Sequence, residues 1–304
     1  MRSRTAERFI ILSAVTFAVS FTATCLPFAR GATLSPAGSY APRELEGMQI
    51  SKTTRQQLDL LWLLVTKEVT FRYKRTFLGF LWTLLNPLLT ALVFFVAFTI
   101  FMRFEIEDFA FFLLAALFPW SWFAGSVTVA TGTLTGNVSL IRKVVFPKHL
   151  LILSVVIAQM VNFAFTLPVL LGLAFFYDLP PSLNWLIGIP ILATVQFAII
   201  YGLGLMVSVA NVYFRDLEYM VTVVISLLFW MTPIIYPLSA VPEGARPFLT
   251  LNPVSYPIQA WRDLFMHNTL NWPYIGIGLV TAVVVLLLGH WLFRRMSGRL
   301  DEVL

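Results

Sequence analysis

The stretch HLLILSVVIAQMVNFAFTLPVLLGLAFFY, residues 149–177, runs from Lys148 to Asp178 without an acidic, Lys or Arg side chain. A helix needs about 20 mostly apolar residues to cross the ~30 Å hydrocarbon core of a bilayer, where backbone polar groups find no water to bond. This stretch is long enough, and it gives a rule for the rest of the chain: uncharged runs between consecutive charges are candidate spans. Going upstream, the runs from Arg75 to Arg103 and from Asp108 to Arg142 each hold one helix. Going downstream, a fourth span starts near Trp185 between Asp178 and Arg215, and a fifth lies between Glu218 and Glu243. The sixth runs from about Pro273 to Phe293, with Pro273 suited to a first helical turn.

Composition agrees with a bundle of spanning helices. The 304 residues are 59% hydrophobic and 12% charged, and the mean hydropathy is +0.83. Soluble domains run near half apolar and about a quarter charged, so a water-soluble globule is excluded. The net charge of +6 is not a nucleic-acid signal, because the cations flank the apolar runs. A single Cys25 rules out an intrachain disulfide, and no cluster of metal-ligand spacing occurs in the sequence.

Six spans place both ends of this core on one side, and Lys and Arg concentrate in cytoplasmic flanks. One side holds Lys52, Arg55, Lys67, Arg72, Lys74, Arg75, Arg142, Lys143, Lys148, Arg215, Arg294, Arg295 and Arg299. The other holds Arg103, Arg246 and Arg262. This asymmetry puts both core termini in the cytoplasm. Pro87, Pro119, Pro168, Pro190, Pro233 and Pro237 fall inside the spans, either as kinks whose freed carbonyls neighbouring helices satisfy or as hinges for transport. The pairs Gly132 with Gly136 and Gly202 with Gly204 read as close helix packing.

Residues 1–47 conflict with that sidedness. Arg2, Arg4 and Arg8 followed by an apolar run from Phe9 to Ala29 have the form of a secretory signal or signal anchor. Either would carry the cation-rich side outward. The expectation is therefore that residues 1–47 are a misassigned extension or a dispensable hydrophobic segment, with Met48 starting a domain over 48–304.

Three segments are neither spans nor plain loops. Residues 54–77 place Leu58, Trp62, Val65, Val69, Tyr73 and Phe77 at steps of three and four, with Asp59, Thr66, Thr70 and Lys74 on another face. The pattern is that of an amphipathic helix in the headgroup plane, serving as an anchor or as a place where a lipid or partner enters. Its basic end, Arg72, Lys74 and Arg75, attracts anionic lipid by about 1 kcal/mol per charge. The loop at 137–149 mixes Arg142, Lys143 and Lys148 with Ile141, Val144, Val145, Phe146 and Pro147. Apolar side chains among the bases fit docking of a soluble partner, while positive-inside anchoring explains the bases alone. The short loop with Phe214, Arg215 and Asp216 offers a second contact. Residues 239–272, broken by Pro242, Gly244, Pro247, Pro253 and Pro257, read as a re-entrant outer cap between spans five and six. Trp120, Trp122 and Phe123 lie within span two, as an interfacial belt or as rings that cradle sugars in a pore.

Chemistry of several kinds is missing from the sequence. It contains no phosphate-cradling Gly-x-x-x-x-Gly-Lys-Ser/Thr and no Gly-x-Ser-x-Gly or His-Glu-x-x-His. No charge lies deep within a span as an ion relay would require. A transporter built this way must take its energy from a partner. A membrane enzyme acting on lipid-linked sugars would need cytoplasmic carboxylates for a metal-nucleotide donor, whereas Glu105, Glu107 and Asp108 sit on the outer side.

The ordered set of parts resembles the permease subunit of type-2 ABC exporters of polysaccharides, the O-antigen, capsule and teichoic acid family. The resemblance rests on Leu117 to Phe123, Asn137, Leu140 to Val144, Phe146 to Lys148, Leu150, Leu151 and Ser154. It extends to Arg72 to Lys74, Leu78, Gly79, Trp82, Asn86, Pro87, Asn211, Val212, Arg215, Asp216, Thr232 to Ile234, Tyr236, Asn252 and Pro253. It covers residues 55–300 and leaves 1–47 without a counterpart.

The resemblance implies an all-α homodimeric permease of the bacterial inner membrane. It would work with two copies of an ATP-binding subunit, which hold ATP and Mg, this chain having no cofactor of its own. The cargo it implies is a lipid-linked glycan, exported from the cytoplasm. By that likeness Arg142, Lys143, Phe146, Pro147, Lys148, Phe214, Arg215 and Asp216 couple to the ATPase. Arg72, Lys74 and Arg75 would meet the lipid pyrophosphate, and Trp120, Trp122 and Phe123 would line the glycan channel. The alternative within the same type is a permease for a drug or small lipid.

Overall fold

The computed structural model describes residues 52–73, 81–103, 106, 108–144, 146–245 and 252–298. The chain forms two units, one ending at Lys74 and one starting at Arg75. In the first, helix α1 spans Lys52–Tyr73 and exposes Leu58, Trp62 and Leu63. The expected basic end falls off this picture, since the Arg72 side chain, Lys74 and Arg75 lie outside the described residues, as do residues 1–47.

In the second unit, α2 (Leu81–Phe95) continues as a π-helical turn over Val96–Phe101. Then come α3 (Phe109–Gly136), the short α4 (Val138–Lys143), α5 (His149–Ala164), α6 (Leu167–Phe176) and α7 (Leu183–Tyr213). The chain finishes with α8 (Leu217–Met231), α9 (Ser255–His267) and α10 (Trp272–Ser297). No strand occurs among the described residues.

Among the described residues five segments are long and apolar enough to cross a membrane: Leu84–Phe101, Phe109–Gly136, His149–Phe176, Leu183–Tyr213 and Trp272–Ser297. They match expected spans one, two, three, four and six. The expected fifth is only the 15-residue α8, which at 1.5 Å per residue reaches about 22 Å. Its early stop has a local cause: a residue before proline is driven out of the α region. Thr232, before Pro233, accordingly takes φ −99° and ψ 129°. Beyond it, Thr232, Pro233, Ile234 and Ile235 run without helix yet buried, the condition under which irregular backbone is tolerated at membrane depth.

Helix α3 is the hub. It packs against α2, α5, α7, α8 and α9 and is buried on nearly all sides, as an all-round apolar helix should be. The most extensive pairing is α7 with α10. There Gly202 and Gly289 bring backbones together: a Cβ on Gly289 would overlap the Gly202 carbonyl, and one on Gly202 would lie 2.7 Å from the Val285 oxygen. Gly202 therefore packs as expected, while Gly136 faces open space.

Helix α9 runs antiparallel to the first half of α7. Pro257 and Val195 both adjoin Gly278, Leu264 adjoins Gly188, and Asn184 Nδ2 donates to the Asn268 carbonyl at 2.6 Å. One buried amide ties three helices. Gln196 of α7 donates to the Pro119 carbonyl of α3 at 2.8 Å and accepts from Trp261 Nε1 of α9 at 2.7 Å. Pro119, Gln196 and Trp261 thus meet their hydrogen-bonding needs inside an apolar bundle, where an unmet one costs about 1–3 kcal/mol.

Candidate functional site

The two loops read as partner contacts lie at the same end of the bundle. Gly132, in the last turns of α3, faces the Glu218 carboxylate at the start of α8, with a Cβ position 3.5 Å from Oε1. The α7 and α10 C-termini meet there too, through Tyr213 Oη donating to the Met296 carbonyl at 3.0 Å. Asn137 closes α3 by donating Nδ2 to the Thr133 carbonyl at 2.8 Å, and α4 follows directly. Ile141 buries itself and anchors α4, leaving Arg142 and Lys143 exposed in its last turn, where cations suit the carbonyl end of a helix. Phe146, Pro147 and Lys148 are half-buried at the start of α5. Across the same end Phe214 is 69% exposed, beside exposed Arg215 and Asp216. An exposed ring next to charged residues is what a partner surface can cover at a gain.

The rings of span two lie inside the protomer. Trp120, Trp122 and Phe123 are 5%, 3% and 2% exposed, packed within the protomer. Trp122 stacks on Phe163 at 4.9 Å and 14°, and Phe163 meets Trp261 edge-on at 5.2 Å. Trp120 lies 5.4 Å from Phe123 and 5.9 Å from Phe229. Within one chain these three rings therefore face neighbouring helices and not an open surface. The reason is the hub position of α3, most of whose circumference is occupied by neighbouring helices.

Rings at least partly accessible form a contiguous set on α2 and α8. Phe94 stacks on Phe229 at 5.8 Å and 21°, with Phe98 6.2 Å beyond Phe94. Trp230 adjoins Phe229 at 5.7 Å and is 57% exposed. Phe94, Phe98 and Phe229 are half-buried. One and two turns back along α8, Ser226 and Thr222 are exposed, with hydroxyls donating to the Thr222 and Glu218 carbonyls at 3.0 Å each. Each such oxygen keeps lone pairs for an incoming hydroxyl. Ring faces plus hydroxyl acceptors in one stripe are suited to sugars, which present C–H faces and O–H edges. The sequence signal was present: Thr222, Ser226 and Trp230 step by four along one face of a helix.

At the opposite end the irregular stretch after α8 is fastened by side chains. Thr232 Oγ1 donates to the Leu228 carbonyl at 2.7 Å and accepts from Asn252 Nδ2 at 2.9 Å. Arg262 Nη2 donates to the Ile234 carbonyl at 2.6 Å, with the guanidinium 3.8 Å from the Phe112 ring centre. An arginine guanidinium keeps its proton in proteins, so the group is a buried cation. Tyr236 Oη donates to the Trp230 carbonyl at 2.7 Å. Among the described residues no group of three or more His, Cys, Asp or Glu could hold a metal ion.

Residues 59–266 match the ABC-2 type transporter family. The chain belongs to that family. Its similarity to known transport proteins is broad: 39% identity over 246 residues to the O-antigen export system permease protein RfbA of Klebsiella pneumoniae, covering 81% of this chain and 95% of that protein. A Myxococcus xanthus protein of the same name is 36% identical over 234 residues, 76% of this chain and 90% of the other. The polysialic acid transport protein KpsM of Escherichia coli is 23% identical over 257 residues, 82% and 95% of the two chains. As an ABC-2 protein with several apolar helices, the chain is a multi-pass membrane transport subunit, and the family implies an ATP-binding partner.

Proposed function

We propose that this chain is the permease of an ABC exporter that moves a lipid-linked polysaccharide across the bacterial inner membrane. The observation that carries this reading is the stripe of half-buried Phe94 and Phe229 with exposed Trp230, Ser226 and Thr222, together with relatives named for O-antigen export and polysialic acid transport. In a homodimer, two such stripes facing each other enclose a path of rings and hydroxyls. Stacking on ring faces tolerates a repeating and varied chain, as processive export requires.

The end bearing Arg142, Lys143, Lys148, Arg215, Arg294 and Arg295 is cytoplasmic by its cations. Two copies of an ATP-binding subunit, which carry ATP and Mg, dock there on the loops at 142–148 and 214–216. The buried stretch 232–235 completes the crossing that α8 begins, giving six crossings, and α9 is a re-entrant helix that caps the outer half. Helix α1 lies at the cytoplasmic interface, where Arg72, Lys74 and Arg75 meet the lipid pyrophosphate as charged donors. The exporter domain occupies residues 48–304.

The test is a pull-down from mild detergent with a C-terminal tag, followed by an ATPase assay and glycan export from inverted vesicles. A stoichiometric soluble ATPase and ATP-dependent sequestration of lipid-linked glycan are expected. A complex that hydrolyses ATP but moves only small lipids or drugs would overturn the cargo, and no ATP-binding partner would overturn the exporter.

A further inference from the structure

Arg262 is the one charged side chain that is buried among the described residues, at 6% exposed. No carboxylate of those residues stands within ion-pair distance of it. Asp263, next in the chain, instead accepts from Asn271 Nδ2 at 2.8 Å and lies 3.7 Å from His267 Nδ1. An unpaired cation in an apolar interior carries a heavy desolvation cost, and an apolar side chain of like volume would fill the place without it. What an apolar side chain does not offer is the donor to the Ile234 carbonyl at 2.6 Å.

That carbonyl belongs to the stretch that directly follows the ring pair Phe229–Trp230. Thr232–Tyr236 makes no helical ladder, so side chains hold it: Asn252 on Thr232, Arg262 on Ile234, and Tyr236 back onto Trp230. Of these ties, only that of Arg262 reaches from α9 itself to the stretch after α8. Phe112, at the start of α3, supports the guanidinium with its ring centre 3.8 Å away. The Nε–H has no acceptor, leaving a donor free to catch another carbonyl when the stretch moves.

We propose that Arg262 is a positioning residue that latches the outer stretch Thr232–Tyr236, and with it the Phe229–Trp230 rings, in the closed resting conformation of the export path. The proposal rests on reading those rings as the wall of that path. Release of the latch frees the end of α8 to move away from α9 while α3 and α7 stay fixed through Gln196. Removing a charged donor shifts the held and released populations by about tenfold or more.

The test uses the full permease–ATPase complex in proteoliposomes, without ATP or cargo, and reads release of trapped carboxyfluorescein. Arg262→Met is expected to assemble with the ATPase as wild type does, with an unchanged melting temperature within a few degrees. It should nevertheless leak dye about tenfold faster. Arg262→Lys, which keeps the charge and one donor but not the planar fork, should leak at an intermediate rate. Vesicles of both variants as tight as wild type would overturn the latch. If the Met variant fails to assemble, the Lys variant decides alone, with tight vesicles again overturning the proposal. The leak assay needs no glycan, so an absence of glycan export by the wild-type complex would sink the cargo reading separately.

Discussion

The carbonyl of Gly202 on α7 occupies the space where a Cβ on Gly289 of α10 would stand. The neighbouring atoms are backbone, which cannot rotate away, so the two helices hold each other at the shortest distance their main chains allow. In lipid, where apolar side chains gain little by associating, such close approach is a main source of helix pairing. Gly289→Ala is expected to cost about 1–3 kcal/mol, as overpacking does. It should show as a lower melting temperature and a smaller monodisperse fraction in detergent. Gly136→Ala, at a position with open space, should be silent in the same assay.

Gln196→Leu removes the amide that joins Pro119 and Trp261. It leaves a buried indole N–H and a carbonyl unpaired, each worth about 1–3 kcal/mol. Thermal unfolding should fall well below wild type. Gln196→Glu, which can accept from Trp261 but cannot donate to Pro119 while ionised, should recover only part of the loss. Equal stability of the Leu variant would mean that water or a shifted side chain meets both groups.

Two tryptophans are expected to behave oppositely. Trp122→Ala empties a buried stack against Phe163 and should destabilise by about 3 kcal/mol, with export lost only in proportion to folded protein. Trp230→Ala removes an exposed ring and should leave the melting temperature intact. Export per assembled complex should fall roughly fivefold, the effect of about 1 kcal/mol of lost ring contact. The comparison is made by normalising vesicle export to complex recovered.

Charge reversal at the cytoplasmic end should act on assembly. Arg142→Glu with Lys143→Glu keeps Ile141 buried and α4 intact, so the permease should purify normally. Its recovery of ATPase in the pull-down is expected to drop severalfold, more so at low salt, where exposed charges are less screened. Wild-type recovery would remove this loop from the docking surface.

Sidedness is measured by labelling. With Cys25 replaced by Ser, Arg215→Cys should react with a membrane-impermeant maleimide only in opened spheroplasts. Glu243→Cys should react in intact ones. The reverse pattern would invert the topology.

Much of this could be read without coordinates, because the bilayer imposes one simple demand on sequence. Uncharged length located α2, α3, α5 with α6, α7 and α10, and Pro273 falls in the first turn of α10. At α8 the same rule found more apolar length than helix. It measures apolar length and not helix, and Thr232 leaves the helical region ahead of Pro233 while the stretch beyond stays apolar. The loops at 142–148 and 214–216 were legible from composition alone. Their convergence at one end follows from the alternating direction of successive crossings.

The sequence by itself determined that this is a helical membrane protein, which ends of the helices carry the cations, and where proline interrupts them. These are properties of single segments meeting a solvent, and each segment records them in its own composition. Only the tertiary structure decided which rings are covered. Trp120 and Trp122 belong to the hub helix and pack against Phe123 and Phe163, whereas Trp230 on peripheral α8 stays open. Tertiary structure alone also brought Arg262 to Ile234 and Gln196 to Trp261 across 28 and 65 residues of chain. An aromatic or an arginine reads the same in a sequence wherever its helix is docked. Burial is a property of the neighbours, and the neighbours are set by helix packing that no local pattern encodes.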